Sequence, residues 1–330
     1  MNPLRIIFFG STTDSVLVLS RLFQVSSIPS ASRAAGKYPF GLAQGGQVSI
    51  AAVVTQPPRP VGREKMIRPT PVETWAKAHD IPVLSFPSDA RKSWLYADEE
   101  VVIDSLEPLK ADLLVSASYG QKIPTKTIAD ARYGGLNIHP SLLPRWRGAD
   151  PVPWAILTGD HQTGVTVVTL AEKFDEGRII AQKKISITDK DTSDPLRTKL
   201  FKLGAQLLID ILASKGLAFK GSPQQTTDSP YARRFTRDDG FEPWEAIEKA
   251  FTDREEARRI ERKFRALTPW PGVWTNIGIM NQESGSMENK RLKILKLHLY
   301  NSGLILDEVQ LEGKTPVSWQ QFSSAYQVPK

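Results

Sequence analysis

The sequence contains no cysteine among its 330 residues. Without a thiol, the chain can form neither a disulfide framework nor a thiolate nucleophile or metal ligand. It also lacks any run approaching the roughly 18 consecutive apolar residues of a membrane-spanning helix. The opening letters MNPLRIIFFGSTTDS contain too short an apolar run for a signal peptide and are typical of a first strand. These absences predict a cytoplasmic protein with no membrane association.

A second absence concerns glycine. The turn after the first predicted strand, FFGSTTDS, contains Gly10 but lacks the second and third glycines of the dinucleotide-binding pattern G-x-G-x-x-G. A plain strand-to-helix turn is the better interpretation, so no dinucleotide is predicted. The formal net charge of +7 is compatible with an anionic partner, but many soluble proteins are mildly basic, and the charge alone does not decide the function.

Strand-like and helix-like segments alternate along the first two thirds of the chain, which predicts an α/β, Rossmann-like domain with a mostly parallel sheet. Short strand-like runs after a turn-rich stretch predict a small, OB-like β-barrel at the C-terminal end. We therefore expect a catalytic domain over 1–215 with a surface insertion at 24–47, a linker over 216–232 and a β-barrel domain over 233–330.

An amide and an imidazole close one predicted strand, LNIH. Asn137 and His139 are two positions apart and so share one face, at the strand end where open α/β sheets bind ligands. The Asn137 amide can donate to an oxygen that becomes negative, and His139 can exchange a proton near neutral pH. The pair suits attack on a carbonyl, but taken alone a turn-capping Asn and a surface His explain it better.

Asp175 is a candidate third member of this set. It lies in the predicted turn EKFDEG before a strand, and a carboxylate beside the imidazole would orient it and raise its basicity. Spacing along the chain cannot show that Asp175 is near His139, since an isolated Asp in a turn is usually only a turn residue.

The segments NIHPSLLPRWRGADPVPWAI and TGVTVVTLAEKFDEGRIIAQ resemble the formyltransferases that use 10-formyltetrahydrofolate. The resemblance implies that Asn137, His139 and Asp175, which lies 38 positions after Asn137, are the catalytic set. It implies that Asn137 and protonated His139 stabilise the oxyanion, while Asp175 orients His139 and relays the amine proton towards N10 of the folate. The formyl donor acts as a cosubstrate, and no metal is expected.

Two further segments match the family's folate pocket. The SLLP loop, with Pro140 before it, is stiffened by proline, and SYGQKIP resembles a strand-end segment that lines the same pocket. Lys122 departs from the apolar residue expected in the second segment. The resemblance assigns folate contacts to seven residues, Ser141, Leu142, Leu143, Pro144, Tyr119, Gly120 and Ile123.

The loop QPPRPVGREKMIR resembles a loop that reaches the acceptor end of the tRNA in family members acting on methionyl-tRNA. Its cations suit phosphate contacts. Pro58 replaces the aspartate that is usual in this loop. The residues expected to contact tRNA are Arg59, Arg63, Lys65 and Arg68.

The tail segments RKFRALTPWPGVW and VQLEGKTPVSWQQF resemble the C-terminal, tRNA-binding domain of the same members. The resemblance therefore implies formyl transfer to the α-amino group of methionine on initiator methionyl-tRNA. The sequence carries no signal for an oligomer, and a monomer is the default expectation. A sugar-nucleotide N-formyltransferase and a non-catalytic RNA- or folate-binding protein of the same fold remain alternatives. The arginines of REEARRIERKFR could form an RNA-binding side of a helix or a solvated face paired with glutamates.

Overall fold

The computed structural model describes residues 3–26, 48–62, 64–214, 219–225, 229–280, 287–301 and 303–326. The predicted insertion at 24–47 therefore lies almost wholly outside the described residues. The chain divides by packing into two compact units. The first comprises Met1–Gly148, Thr163–Ile185 and Arg197–Tyr231, and the second comprises Ala149–Gln162, Ser186–Leu196 and Ala232–Lys330.

The strands of the described residues belong to one large sheet, one smaller antiparallel sheet and short two-stranded pairs. In chain order they are β1 (Leu4–Phe9), β2 (Val48–Thr55), β3 (Arg59–Val61), β4 (Met66–Arg68), β5 (Val83–Ser85), β6 (Leu113–Ala117), β7 (Gly135–His139), β8 (Arg147–Gly148), β9 (Gln162–Thr169), β10 (Ile179–Ser186), β11 (Tyr231–Ala232), β12 (Val273–Met280), β13 (Met287–Tyr300), β14 (Gly303–Leu311) and β15 (Val317–Ser318).

The helices flank these strands, and several start at recognisable caps. The letters TPVE, with proline after the threonine and glutamate three positions after it, predict a capped helix start. Thr70 does accept a hydrogen bond from the backbone N–H of Glu73 at 3.0 Å and so caps a helix that opens with proline. In chain order the α-helices are α1 (Thr13–Ser26), α2 (Pro71–Lys77), α3 (Glu99–Leu106), α4 (Thr125–Asp130), α5 (Pro151–Leu157), α6 (Ser193–Ala213), α7 (Trp244–Ala250), α8 (Arg254–Leu267) and α9 (Trp319–Tyr326). No helix in the described ranges is long and apolar enough to cross a membrane.

The large sheet has the order β10-β9-β7-β6-β1-β2-β5. The pairs β5–β2, β2–β1, β1–β6 and β6–β7 are parallel, and β9 then joins β7 in the antiparallel direction. The central strands β1 and β6 are apolar on both faces because helices cover a parallel sheet from both sides. The predicted α/β fold with a mostly parallel sheet is confirmed.

The second unit contains an antiparallel sheet with the strand order β12-β13-β14-β15, which agrees with the short strands predicted for the C-terminal domain. Its core contains Ile260 of α8 and Leu292, Ile294 and Val309 of the sheet. Segments 149–162 and 186–196 group with this unit by packing, although the predicted domain boundaries place them in the first domain. The predicted domain boundaries, 1–215, 216–232 and 233–330, stay a prediction.

The helix α8 shows ion pairs rather than a uniformly cationic side. Arg265 pairs with Glu261 at 2.6 Å, and Arg259 pairs with both Glu242 and Glu256. Arg265 is buried. Pairing with glutamate is therefore observed for Arg265, which is buried rather than solvated, and for Arg259, one of whose partners, Glu242, lies outside the helix.

We predict that Gly177→Ala destabilises the first unit by about 1–3 kcal/mol or more, as overpacking does. A Cβ at position 177 would lie 1.8 Å from the backbone oxygen of Thr169, which cannot move aside cheaply. Gly278→Ala is the control, since its Cβ would meet only the flexible end of Met287, at 2.9 Å. Chemical unfolding measures both variants, and an equal loss in the two would contradict the prediction.

Candidate active site

Asn137 and His139 lie on β7, between a parallel neighbour and an antiparallel one. Asn137 is opposite Ser116 of β6, and His139 is opposite Thr166 of β9. Because they are two positions apart on a strand, both side chains point to the same face. Asn137 is half-buried and His139 is buried. The strand therefore delivers an amide and an imidazole together to one edge of the sheet.

Asp175 reaches this pair from the turn between β9 and β10. Its carboxylate Oδ1 accepts a hydrogen bond from Asn137 Nδ2 at 3.1 Å and lies 3.3 Å from His139 Nδ1. Its Oδ2 accepts from the backbone N–H of Gly148 at 3.0 Å. The side chains of His139 and Asp175 are only 5% and 8% exposed. The structure thus brings the three predicted catalytic residues together around one buried carboxylate.

His139 faces a hydrogen-bond acceptor at each ring nitrogen. Nδ1 faces the Asp175 carboxylate, and Nε2 lies 2.8 Å from the backbone oxygen of Trp146. A carbonyl oxygen can only accept, so both contacts are satisfied when the ring carries two protons. Burial opposes the charged ring, but the Asp175 charge and hydrogen bond and the Trp146 carbonyl together raise the pKa of His139.

The same contacts act on the carboxylate in the opposite direction. Burial favours protonated Asp175, but the imidazolium and the donors from Gly148 and Asn137 outweigh it and lower the pKa of Asp175. Starting from ordinary pKa values of 3.8 and 6.5, the ion pair contributes its full stability between those two values. This contribution to stability is lost when the pH falls through the lowered pKa of Asp175. It is also lost when the pH rises through the raised pKa of His139.

The loop from Ser141 to Pro144 follows β7 directly and is held from β9 and β10. Thr166 Oγ1 donates to the Ser141 carbonyl at 2.7 Å and accepts from the Leu143 N–H at 3.1 Å. Gln182 donates to the Leu143 carbonyl at 2.8 Å. Ser141 and Leu143 are buried, while Leu142 and Pro144 are half-buried. Of the four predicted folate contacts, Leu142 and Pro144 therefore offer the more accessible side chains.

The second predicted folate segment leaves the neighbouring strand β6 at the same edge. The Tyr119 hydroxyl hydrogen-bonds with Tyr96 at 2.9 Å and donates to Gln121 at 3.1 Å, and burial raises the pKa of Tyr119, so it stays neutral. Ile123 is buried in the same cluster. Gly120 is exposed, and a Cβ there would lie 2.8 Å from Gln56 Nε2. Lys122 is half-buried, and its backbone N–H donates to Trp94.

The predicted tRNA contacts lie on an exposed hairpin of the first unit, formed by β3 and β4. Arg59 and Arg68 are opposite each other, and Lys65 occupies its turn with φ 50°. Arg63 lies outside the described residues. No described carboxylate is within ion-pair distance of the other three. Three large apolar side chains are also exposed on this hairpin, Val61, Met66 and Ile67.

Sequence reasoning missed several residues that support this site. Gln224, assigned to the linker, donates to the backbone oxygens of Asp175 and Gly177 at 2.7 and 2.8 Å. Thr166 holds the loop after β7. A glutamine in a turn-rich stretch and a threonine in a strand carry no local signal of such contacts. Among the described residues, no group of three His, Asp or Glu side chains is placed to hold a metal ion.

Two family models match the chain. Residues 37–212 match the model described as "Formyl transferase", and residues 252–304 match "Formyl transferase, C-terminal domain". The chain is 36% identical over 277 residues to a protein named methionyl-tRNA formyltransferase from Listeria monocytogenes serotype 4a, which covers 83% of this chain and 75% of the relative. A protein of the same name from Gluconobacter oxydans is 33% identical and covers 85% of this chain and 90% of the relative.

A solved structure supports the fold independently. An X-ray structure of a sugar N-formyltransferase from a Shewanella species aligns with 87% of this chain and 96% of its own, with a TM-score of 0.51. The sequence identity is 18%, so this likeness concerns the fold alone.

We predict that Asp175→Asn lowers the pKa of His139. The substitution removes the carboxylate charge that favours the imidazolium and leaves the burial that opposes it. NMR titration of labelled histidine side chains measures the change. Asp307→Asn is the control, because Asp307 contacts the exposed His298 in the second unit at 2.9 Å. His139 titrating at the same pH in wild type and Asp175→Asn would refute the electrostatic account of the site.

Proposed function

Because the chain belongs to the formyl transferase family, we propose that it transfers the formyl group of 10-formyltetrahydrofolate to the α-amino group of methionine on initiator methionyl-tRNA. The observation that carries the chemistry is the buried Asp175 carboxylate that joins Asn137 to His139. The names of the curated relatives support the acceptor. The proposed setting is the cytoplasm, and the proposed state is a monomer.

The loop at Ser141–Pro144 and the segment at Tyr119–Ile123 are the proposed binding surface for the folate. Their half-buried apolar side chains and an exposed glycine suit a flat heteroaromatic substrate that is gripped by apolar contacts and backbone groups. Thr166 and Gln182 hold the loop by hydrogen bonds, so little reorganisation is needed on binding. The donor itself supplies an already activated formyl group.

Asn137 and His139 stabilise the charge that builds on the formyl oxygen as the neutral amine attacks. One N–H of the Asn137 amide is engaged by Asp175, and the amide has a second N–H to offer. The doubly protonated His139 ring places a positive charge beside it. Such preorganised donors act strongly in a site shielded from water.

Asp175 orients the His139 ring and transfers the proton of the attacking amine. Its contacts fix the His139 ring and keep the carboxylate ionised. The amine nitrogen first bonds to the formyl carbon to give a tetrahedral oxyanion, which then collapses by breaking the bond from that carbon to N10. We assign Asp175 to receive the amine proton through a water molecule and return it to the departing N10, so the proton balance closes without a metal.

A formylation assay tests this proposal directly. Purified protein and 10-formyltetrahydrofolate are incubated with charged initiator methionyl-tRNA, with uncharged tRNA, or with an amino-sugar nucleotide. Formyl-methionine on the charged tRNA alone is the expected result. Formylation of the amino sugar would show that the acceptor is a sugar nucleotide rather than methionyl-tRNA. Binding of folate and RNA without any turnover would favour a non-catalytic binding protein.

We predict that Asn137→Ala and His139→Ala each lower kcat at least 100-fold, since losing one oxyanion donor costs about 10²–10³ in rate. Asp175→Ala should fall by a similar factor, within the range of about 10²–10⁴ for a lost general base. Steady-state kinetics measure these changes. His161→Ala, at an exposed histidine of the second unit, should retain wild-type turnover. Near-wild-type turnover in an active-site variant would remove that residue from the mechanism.

We predict that Arg59→Ala and Lys65→Ala raise the KM for tRNA several-fold while the KM for folate stays constant. Each removes an exposed cation with no described carboxylate partner, so the logarithmic salt dependence of tRNA affinity should flatten by about one unit per lost contact. The matched control is Lys199→Ala, an exposed lysine on α6. A salt dependence identical to wild type in the hairpin variants would exclude phosphate contacts there.

A further inference from the structure

Gln224 uses both ends of its side-chain amide. Nε2 donates to the backbone oxygens of Asp175 and Gly177 at 2.7 and 2.8 Å, and Oε1 accepts from Arg147 Nε and Nη2 at 3.0 and 2.7 Å. Reversing the amide would set its oxygen against two carbonyl oxygens and its NH₂ against a guanidinium. The chemistry of its four partners therefore fixes the amide in one orientation.

The turn that Gln224 holds has few hydrogen bonds of its own. Asp175 has φ 58°, in the left-handed region that is disfavoured for a residue with a Cβ. Within the turn, the Glu176 N–H reaches the Lys173 oxygen only at 3.5 Å. On the far side, Thr169 Oγ1 accepts from the Arg178 N–H at 2.8 Å. The backbone on either side of Glu176 is thus left to contacts from outside the turn.

We propose that Gln224 is a positioning residue for the reaction: its amide holds the 175–177 backbone so that the Asp175 carboxylate meets Asn137 and His139, and Arg147 fixes the amide. This inference rests on the role proposed above for Asp175. The Asp175 side chain is tied to Gly148 and its backbone to Gln224, which itself binds Arg147. Gly148 therefore binds the Asp175 carboxylate directly, and Arg147 acts on the Asp175 carbonyl through Gln224.

Burial along the segment supports a specific role. Gln224 is half-buried, while its neighbours Pro223 and Gln225 are exposed. The Arg147 guanidinium also lies 3.4 Å from Glu176, whose side chain is 41% exposed. The charged groups on this side of the His139–Asp175 pair include Arg147 and Glu176, and Lys173 of the same turn lies 3.9 Å from the Glu176 carboxylate. Replacing the neutral Gln224 by alanine changes the geometry of the site without changing its formal charge.

The test compares Gln224→Ala with Gln225→Ala, an adjacent glutamine that is exposed. In Gln224→Ala, kcat should fall about tenfold to 100-fold, as expected when a catalytic group is displaced by about 1 Å, with both KM values nearly unchanged. In a plot of kcat against pH, the alkaline limb should move to lower pH, because a displaced Asp175 stabilises the His139 imidazolium less. Gln225→Ala should match wild type in both measurements.

Two further variants separate positioning from simple packing. Gln224→Glu preserves size and the contact with Arg147, but it sets a carboxylate oxygen against two carbonyls, so its kcat should fall as in the alanine variant. Its added negative charge itself favours the imidazolium, so the alkaline limb is compared between wild type and Gln224→Ala. If Gln224→Ala does not fold, Arg147→Lys keeps the charge but loses the forked donor, and a smaller shift in the same direction is expected. A wild-type kcat and alkaline limb in the folded variants overturns the inference.

NMR titration of His139 provides a readout that needs no substrate. The titration should move to lower pH in Gln224→Ala and stay in place in Gln225→Ala. Because no turnover is involved, this measurement tests Gln224 even if the assigned formyl acceptor is wrong. An unchanged His139 titration in Gln224→Ala overturns the inference whatever the assay shows.

Discussion

The site depends on one buried carboxylate that is shared by three donors. Asp175 binds an amide from β7, an imidazole from the same strand and a backbone N–H of Gly148. A buried carboxylate is costly unless it is paired and hydrogen-bonded, and a buried imidazolium has the same need. Each group therefore stabilises the ionised form of the other. Removing either one leaves burial to oppose the charged form of the other, so the remaining group shifts towards its neutral form.

His139 and the cations of the β3–β4 hairpin differ in how strongly dissolved salt screens them. His139 is buried and bound to its counterion, so dissolved salt screens it little. Arg59, Lys65 and Arg68 are exposed, with no carboxylate near them in the described residues, and salt screens them strongly. The proposed catalytic role of His139 and the proposed tRNA contacts of the hairpin should therefore respond differently to ionic strength, although both rest on positive charge.

Local patterns in the sequence were enough to predict the alternating strands and helices, the Thr70 cap and the common face of Asn137 and His139. The proximity of Asp175 could not follow from spacing, because it depends on β9 pairing with β7 and on a left-handed turn after it. The family resemblance brought Asp175 into the set, and the structure places its carboxylate there. Gln224 escaped notice because its partners are backbone oxygens 47 and 49 positions away, which no sequence pattern encodes.

The antiparallel pairing of β7 with β9 places Thr166 opposite His139, and the Thr166 hydroxyl holds the loop at Ser141 and Leu143. Side chains alternate between faces along a strand, so a slip of one residue would present Val165 or Val167 at this position. Neither valine has a hydroxyl with which to bridge the two backbone groups. The hydrogen bonds that shape the loop beside His139 therefore require the native register of β9 against β7.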